Sequence, residues 1–217
     1  MTFSDNNVKI NDIESRFDIK SKYYSGRIKL FDITNERIEK IPFIETKILT
    51  HEQNVELQKY SKELLSYMRN DKVGREGLLA LDMNMKKIKK YKGDEQHLSV
   101  SVPNDITEQC IIIHNHPSGL IFSPKDLEQF SFHDEICLFG AIGNNGNVYF
   151  IEKTENFDPQ QFDFIYYQLQ NKYGKINDKN EFIPNSNEAI FEFIEKILDR
   201  GKECGFNTYI RTNNQFD

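Results

Sequence analysis

Residues 110–119, Cys-Ile-Ile-Ile-His-Asn-His-Pro-Ser-Gly, combine an apolar run with two histidines two positions apart. Side chains alternate between the two faces of a strand, so we expect His114 and His116 to share a face while Asn115 points the other way. The proline and glycine that follow are predicted to end the strand. The stretch therefore predicts a strand that presents a chelating pair of imidazoles at its end.

The sequence Ser123-Pro124-Lys125-Asp126 follows closely and predicts the start of a helix. Serine suits the N-cap and proline the first helical position, which would place Asp126 in the first turn. Two neutral imidazoles and a carboxylate suit Zn²⁺, and three protein ligands leave the fourth tetrahedral position for water. We therefore predict one Zn²⁺ per chain, held by His114, His116 and Asp126. An open position of this kind is what a hydrolytic site needs.

The order His-x-His-Pro, a short loop and Ser-x-x-Asp, as it stands in residues 114–126, resembles the JAMM (MPN+) metallopeptidase family. The sequence His-Asn-His-Pro-Ser-Gly is most similar to that of the bacterial RadC-like and JAB-domain members of the family. Nine residues separate His116 from Asp126, one fewer than in the commonest form of the motif, and we place the deletion in the loop 118–122. The resemblance covers about residues 50–155.

This resemblance implies a fold of the α/β (α+β) class, of the MPN/JAB type, with a mixed, cytidine-deaminase-like β-sheet flanked by helices. It implies a zinc-dependent peptidase or isopeptidase, with a protein substrate that includes ubiquitin-like proteins or their conjugates. It also implies a glutamate on an earlier strand as general base, for which Glu76 is the best candidate and Glu45 the runner-up. Ser123 would donate a hydrogen bond to the oxyanion or only cap the helix, and both roles stay open here.

The chain is accordingly divided into an N-terminal extension (1–49), a metallopeptidase core (50–155) and a C-terminal helical extension (156–217). Hydrophobic periodicity, capping residues and turn residues predict its helices and strands. Helices are expected over 50–69, which opens with a Thr50-x-x-Gln53 capping box, 124–138, 162–169 and 186–203. Strands are expected over 76–83, 87–91, 98–102, 110–114, 139–143 and 147–152, with strand-like pieces over 23–33. The stretch 174–187 is expected to be a linker or exposed loop, and 206–217 a short strand or a disordered tail.

The remaining histidines and the cysteines offer weaker alternatives. His133 competes as third ligand because it follows Asp126 by two helical turns, but two turns rise about 10 Å, so we expect it beside the site or at the surface. His51 and His97 are expected to be exposed. Cys110 and Cys137 are expected to be core residues. A cysteine nucleophile at Cys110 is disfavoured because His114 would lie about 13 Å away along the strand.

Composition and charge limit the partners and the cellular location that we expect for the protein. The net charge of −6 and pI near 5.5 argue against nucleic acid as the main partner, since such proteins usually concentrate basic residues on one face. The basic run 86–92 is the local exception, and either an exposed edge strand or contact with an acidic partner would explain it.

No run approaches the ~18 apolar residues of a membrane span. With three widely spaced cysteines and no secretory signal pattern, a cytoplasmic protein is expected.

Two other functions compete with the metallopeptidase. A metal-free or inactive MPN-type scaffold would bind a partner through the same sheet and helices, and the shortened loop is the feature that favours it. A RadC-like protein associated with DNA would bind DNA in a salt-sensitive manner, which the acidic charge balance opposes.

Overall fold

The protein has a mixed six-stranded β-sheet with helices on both faces. The structure is a computed structural model that describes residues 30–94, 98–178 and 182–213. Its strands are β1 (Gly77–Asp82), β2 (Lys87–Lys92), β3 (Cys110–His116), β4 (Ile136–Gly143), β5 (Val148–Lys153), β6 (Gly174–Ile176), β7 (Phe182–Pro184) and β8 (Phe206–Arg211). Its helices are α1 (Asn35–Glu39), α2 (His51–Met68), α3 (Pro124–Phe132), α4 (Pro159–Tyr173) and α5 (Asn187–Asp199), with a 3₁₀-helix at Gly201–Cys204.

The large sheet has the strand order β2-β1-β3-β4-β5-β8, and β6 pairs with β7 in a separate two-stranded sheet. Strands β3 and β4 are parallel, whereas the other neighbours in the large sheet are antiparallel. The connection from β3 to the parallel β4 passes through α3, as a parallel pair requires a crossover. This crossover brings the start of α3 to the carboxyl end of β3, where the two histidines lie.

The sheet separates two layers of apolar side chains because alternate residues of each central strand face opposite sides. Ile112 and Phe139 belong to the layer under α3, α4 and α5, whereas Ile111 and Ile113 belong to the layer under α1 and α2. Strands β3 and β4 are buried along their whole length. His114 continues the alternation of Ile112, so the site lies on the face covered by α3, α4 and α5.

Several predicted elements are confirmed. Helix α2 begins after Thr50, and the predicted capping box with Gln53 is present in both directions. The predicted hairpin is formed by β4 and β5, where Gly146 takes a positive φ of 90° in the turn. A glycine suits this position because it has no Cβ to clash in the left-handed region. The fold class is confirmed at the level of a mixed sheet flanked by helices.

The predicted strand over 98–102 is wrong, since these residues do not enter the sheet. Their alternation arises because Val100 and Val102 are buried in the core while their neighbours are more exposed. The backbone instead bonds to side chains and to one residue ahead of β1. Val100 N donates to Glu76 Oε2 at 3.1 Å, and Glu76 N donates to the Leu98 carbonyl at 2.8 Å. The segment therefore holds Glu76 in place.

Two further predictions differ from the structure. The helix expected over 124–138 ends at Phe132, and β4 begins at Ile136. The apolar run 136–139 fits either structure, and its pairing with β3 decides for a strand. The stretch 174–187, expected to be a loop, contains β6 and β7.

The C-terminal residues complete the large sheet, because β8 pairs with β5 along residues 206–211. This is the short strand that was one of the two alternatives for 206–217. Most of the strand-like stretch 23–33 and His97 lie outside the described residues. The predicted division of the chain at residues 49 and 155 stays a prediction. Within 30–94, 98–178 and 182–213, no helix is both long and apolar enough to cross a membrane.

The basic run forms the edge strand β2, and three of its lysines are paired with carboxylates of neighbouring segments. Lys87 and Lys90 both contact Glu63 on α2, at 2.6 and 2.9 Å, and Lys89 contacts Asp105. Lysines on an edge strand oppose pairing with another chain. The contacts agree with the interpretation of the run as an exposed edge.

Candidate metal centre

Two buried imidazoles face each other at the carboxyl end of β3. The Nε2 atoms of His114 and His116 lie 2.8 Å apart, and the side chains are 2% and 7% exposed. The His114 ring also packs against Phe139, with ring centroids 5.1 Å apart. The strand thus presents both Nε2 atoms to one point, beside the apolar ring of Phe139.

The start of α3 brings a carboxylate to the same point. Asp126 Oδ1 lies 3.3 Å from His114 Nε2, and Asp126 Oδ2 lies 3.3 Å from His116 Nε2. The loop between β3 and α3 contains a tight turn, in which Gly119 N donates to the His116 carbonyl at 2.9 Å. Gly119 takes a positive φ of 69°, which favours glycine. The short loop therefore brings Asp126 to both histidines.

The three side chains fit a small divalent cation. One donor atom from each of His114, His116 and Asp126 lies within 4.8 Å of the others, and all three residues are buried. In a tetrahedral zinc site with bonds of about 2.0–2.1 Å, two ligand atoms lie about 3.3 Å apart. Each imidazole lies at about this distance from one Asp126 oxygen, His114 Nε2 from Oδ1 and His116 Nε2 from Oδ2, whereas the two Nε2 atoms, 2.8 Å apart, are closer together. The cluster could hold a metal ion.

A backbone carbonyl orients one of the imidazoles. His116 Nδ1 lies 2.8 Å from the Leu120 carbonyl oxygen, which can only accept a hydrogen bond. Nδ1 therefore carries the proton, and in the neutral ring Nε2 has the lone pair that a metal requires. The Nδ1 of His114 is buried without a hydrogen-bond partner among the described residues.

The charges of the cluster depend on one another. Burial opposes the charged form of His116, yet its hydrogen bond and ion pair with Asp126 raise the pKa of the imidazole to about 9. Burial also favours neutral Asp126, but the adjacent His114 and His116 hold the pKa of this carboxyl well below its usual range. These shifts favour an ionised Asp126 beside a protonated His116, and a bound cation would take the place of that proton's charge.

Glu76 lies just ahead of β1 on the same side of the sheet. Leu78 is opposite His114 in the antiparallel pair of β1 and β3, and continuing this register by two residues brings Glu76 level with His116. Opposite residues share a face, and Glu76 and His116 line the same cavity. Glu76 raises the pKa of His116 through its charge. The Val100 N–H orients the Glu76 carboxylate, which is partly exposed.

Ser123 caps α3, as one of its two predicted roles requires. Its Oγ accepts a hydrogen bond from Asp126 N at 3.2 Å, and its own N–H donates to Asp126 Oδ2 at 2.6 Å. A hydroxyl that accepts one bond can still donate another. Ser123 also lines a cavity beside the cluster, so this geometry is compatible with the second role as well.

Asn115 was not among the residues predicted for the site, although it ties the site's two strands together. Its side chain points away from the histidines, where Oδ1 accepts from Gly77 N at 2.6 Å and Nδ2 donates to Asn144 Oδ1 at 2.9 Å. Gly77 directly follows Glu76, so this contact fixes the backbone of the candidate base. A polar residue inside an apolar strand must find partners, which is the signal that could have identified it.

The cavity that adjoins the cluster measures about 180 Å³. Its polar lining includes Glu76, His116 and Ser123. Most of the remaining lining is apolar and comes from the loop before α3 and from α5. The contribution of α5 was also missed, because the sequence gives no indication of which core face this amphipathic helix covers.

The alternative residues lie elsewhere or lack a suitable environment. Glu45 is exposed and contacts the equally exposed His51, with Oε1 and Nδ1 3.1 Å apart. His133 follows α3 as its C-cap and contacts Glu135 at 2.7 Å. All three cysteines are buried and free, and burial raises the pKa of the Cys110 thiol to about 12, which opposes a thiolate nucleophile.

In a comparison with known proteins, no protein-family model, curated protein or solved structure matches this chain. The chemistry of the protein is therefore inferred from the geometry of its own site.

Proposed function

We propose that the protein is a zinc-dependent hydrolase of the JAMM type that cleaves a peptide or isopeptide bond. The observation that carries this proposal is the convergence of His114, His116 and Asp126 beside a cavity that Glu76 also lines. Three ligands of this kind leave one position of a tetrahedral zinc ion open, as catalytic zinc sites do. The retained ligand set opposes the alternative of a metal-free scaffold.

Zinc bound here would lower the pKa of a coordinated water towards about 7 and polarise the scissile carbonyl. Glu76 would accept the proton of the attacking water and deliver it to the leaving amine. The Val100 N–H holds Oε2 of this carboxylate, and Oε1 would take the proton. Ser123 would donate its hydroxyl hydrogen to the developing oxyanion while its oxygen continues to cap α3.

Zinc content tests the proposal before any substrate is known. Protein purified without a metal-binding tag is expected to contain about one zinc per chain by elemental analysis. His116→Ala should reduce this to less than about a tenth, because a catalytic site has only three protein ligands to begin with. The exposed His51→Ala is the matched control, since His51 contacts Glu45 on the surface, and it should retain full zinc.

A wild-type protein that stays folded and takes up no zinc when zinc is supplied would contradict the metalloenzyme and favour the scaffold. Equal zinc in the wild type and in His116→Ala would place the ion elsewhere. Salt-sensitive binding to DNA by a zinc-free protein would favour the third function, the RadC-like one.

Asn115→Ala is expected to lower kcat about 10- to 100-fold while zinc content and KM stay close to those of the wild type. The substitution removes the acceptor that holds Gly77 N, and with it the alignment of Glu76, and an error of about 1 Å in position can cost 100-fold. Steady-state kinetics on a cleaved peptide would measure the two constants. An unchanged kcat in a folded variant would show that Asn115 does not position the base.

A further inference from the structure

The cavity beside the metal centre has a wall that the resembling motif does not include. Its apolar lining includes Ile121, Phe122, Pro124, Ile190, Phe191 and Ile194. The first three flank Ser123 in sequence, and the last three belong to α5. We call this apolar part of the cavity the α5 pocket.

The position of α5 is fixed by core contacts. Tyr166 on α4 donates a hydrogen bond to Glu128 at 2.7 Å, so α4 is attached to the middle of α3. The Tyr166 ring packs edge-on against Phe193 of α5, with centroids 5.0 Å apart, and Phe193 is fully buried. The α5 pocket is therefore preformed by packing, with Ile194 buried and Ile190 half-buried at its surface.

The size of the cavity suits a large side chain. An apolar cavity of about 150 Å³ is sufficient to bind benzene, and the whole cavity, of which the α5 pocket is the apolar part, measures about 180 Å³. A void of this size beside a hydrolytic site would otherwise hold water against isoleucine and phenylalanine side chains, which costs free energy. A phenyl ring or a branched aliphatic chain would fill the apolar part and leave the space at Glu76, His116 and Ser123 for the scissile carbonyl.

We propose that the α5 pocket binds a bulky apolar side chain on the substrate residue that carries the scissile carbonyl. This inference rests on the proposed hydrolase function. The side of the bond follows from Ser123, because its hydroxyl would face the carbonyl oxygen and its two neighbours, Phe122 and Pro124, form the pocket. The side chain on that same residue lies nearest to them. A glycine there, which the resembling family prefers, would leave the pocket empty.

Binding of two small ligands tests the pocket independently of zinc and of hydrolysis. N-acetyl-L-phenylalanine amide and N-acetylglycine amide are titrated into the full chain as purified, and the ¹³C-methyl shifts of Ile190 and Ile194 are followed by NMR. The phenylalanyl amide is expected to bind about tenfold to 100-fold more tightly, in line with the discrimination that apolar pockets achieve. Equal affinities would overturn the proposal.

Two substitutions at Ile190 check that the preference comes from this wall. Ile190→Phe fills the pocket and should remove the preference for the phenylalanyl amide. Ile190→Ala shortens the wall and should weaken that ligand several-fold without removing the preference. The matched control is Ile176→Phe, at an isoleucine of β6 that is 39% exposed, which should behave as the wild type. A preference that survives Ile190→Phe in a folded protein would overturn the assignment.

Cleavage of a peptide library tests the same inference on the substrate side. New C-termini should end in phenylalanine, leucine or another large apolar residue, and products ending in glycine should be rare. Zinc binding and cleavage without this preference would overturn the α5 pocket and leave the proposed function standing. A preference for the phenylalanyl amide in a chain that takes up no zinc would overturn the proposed function, and with it the link to a scissile bond.

Discussion

Glu76→Gln is expected to lower the rate of hydrolysis about 100- to 10,000-fold while the zinc content stays at one ion per chain. General acid–base catalysis contributes a factor of this size. Glutamine has the same shape as glutamate and can still accept the hydrogen bond from Val100 N, so the site keeps its geometry. What glutamine lacks is a basic oxygen to take the proton of the attacking water.

A peptide library derived from a proteome, with new termini identified by mass spectrometry, serves as the assay because it assumes no substrate. The matched control is Glu45→Gln, since the Glu45 side chain is 61% exposed and its contact is with the surface histidine His51. The control should cleave at the wild-type rate. Full activity in Glu76→Gln, or loss of activity in Glu45→Gln, would assign the general base to a different carboxylate.

Local sequence was sufficient to predict that His114, His116 and Asp126 come together. His114 and His116 share a face because a strand has a period of two, and Asp126 lies at the third position of a helix that Ser123 and Pro124 begin. Each of these relations spans fewer than about a dozen residues, within which strand and helix geometry determine where a side chain points. The shorter loop does not change this result, because Gly119 allows the turn that closes it.

Contacts between segments that are distant in sequence could not be predicted from local patterns. The residues 98–102 have the alternation of a strand, yet their backbone bonds to Glu76 rather than to a neighbouring strand. Alternation reports that one face is buried, and it does not report what the backbone pairs with. The start of the apolar run 136–139 resembles the end of a helix for a similar reason, since only the parallel pairing with β3 distinguishes the two structures.

The feature that is hardest to predict is the contribution of α5 to the lining of the cavity. Its apolar residues indicate an amphipathic helix, but Ile190 and Ile194 reach the cavity through the packing of α5 on α4, which is itself bonded to α3 through Tyr166 and Glu128. Such a contact joins residues 38 positions apart in sequence. The convergence of His114, His116 and Asp126 thus follows from local geometry, whereas the cavity beside them depends on the tertiary packing of the C-terminal helices.

The second large effect concerns stability, at a buried carboxylate on the opposite face of the sheet. Glu152 on β5 is 2% exposed and accepts four hydrogen bonds. Two come from the backbone N–H groups of Lys47 and Ile48, at 2.8 and 3.1 Å, and two from the side chains of Tyr209 and Asn207, at 3.0 and 2.8 Å. The carboxylate therefore joins the segment before α2 to β5 and β8.

Glu152→Ala is expected to lower the free energy of unfolding by about 3 kcal/mol. The substitution leaves several donors without an acceptor at a buried position, and each such loss costs about 1–3 kcal/mol before relaxation and water recover part of it. For a protein of this size the corresponding drop in Tm is roughly 6 to 12 °C. Urea denaturation followed by circular dichroism would measure the free energy of unfolding, because this free energy falls linearly with the concentration of urea.

Glu155→Ala provides the matched control, because Glu155 lies three residues further along the same segment and is exposed. Its free energy of unfolding should stay within about 0.5 kcal/mol of the wild type, as is usual for surface substitutions. Glu152→Gln should fall between the two, since its amide oxygen can still accept from Lys47 and Ile48 while its amide nitrogen cannot accept at all. If Glu152→Ala unfolds at the same urea concentration as Glu155→Ala, water replaces the carboxylate at this position and the four hydrogen bonds add nothing to stability.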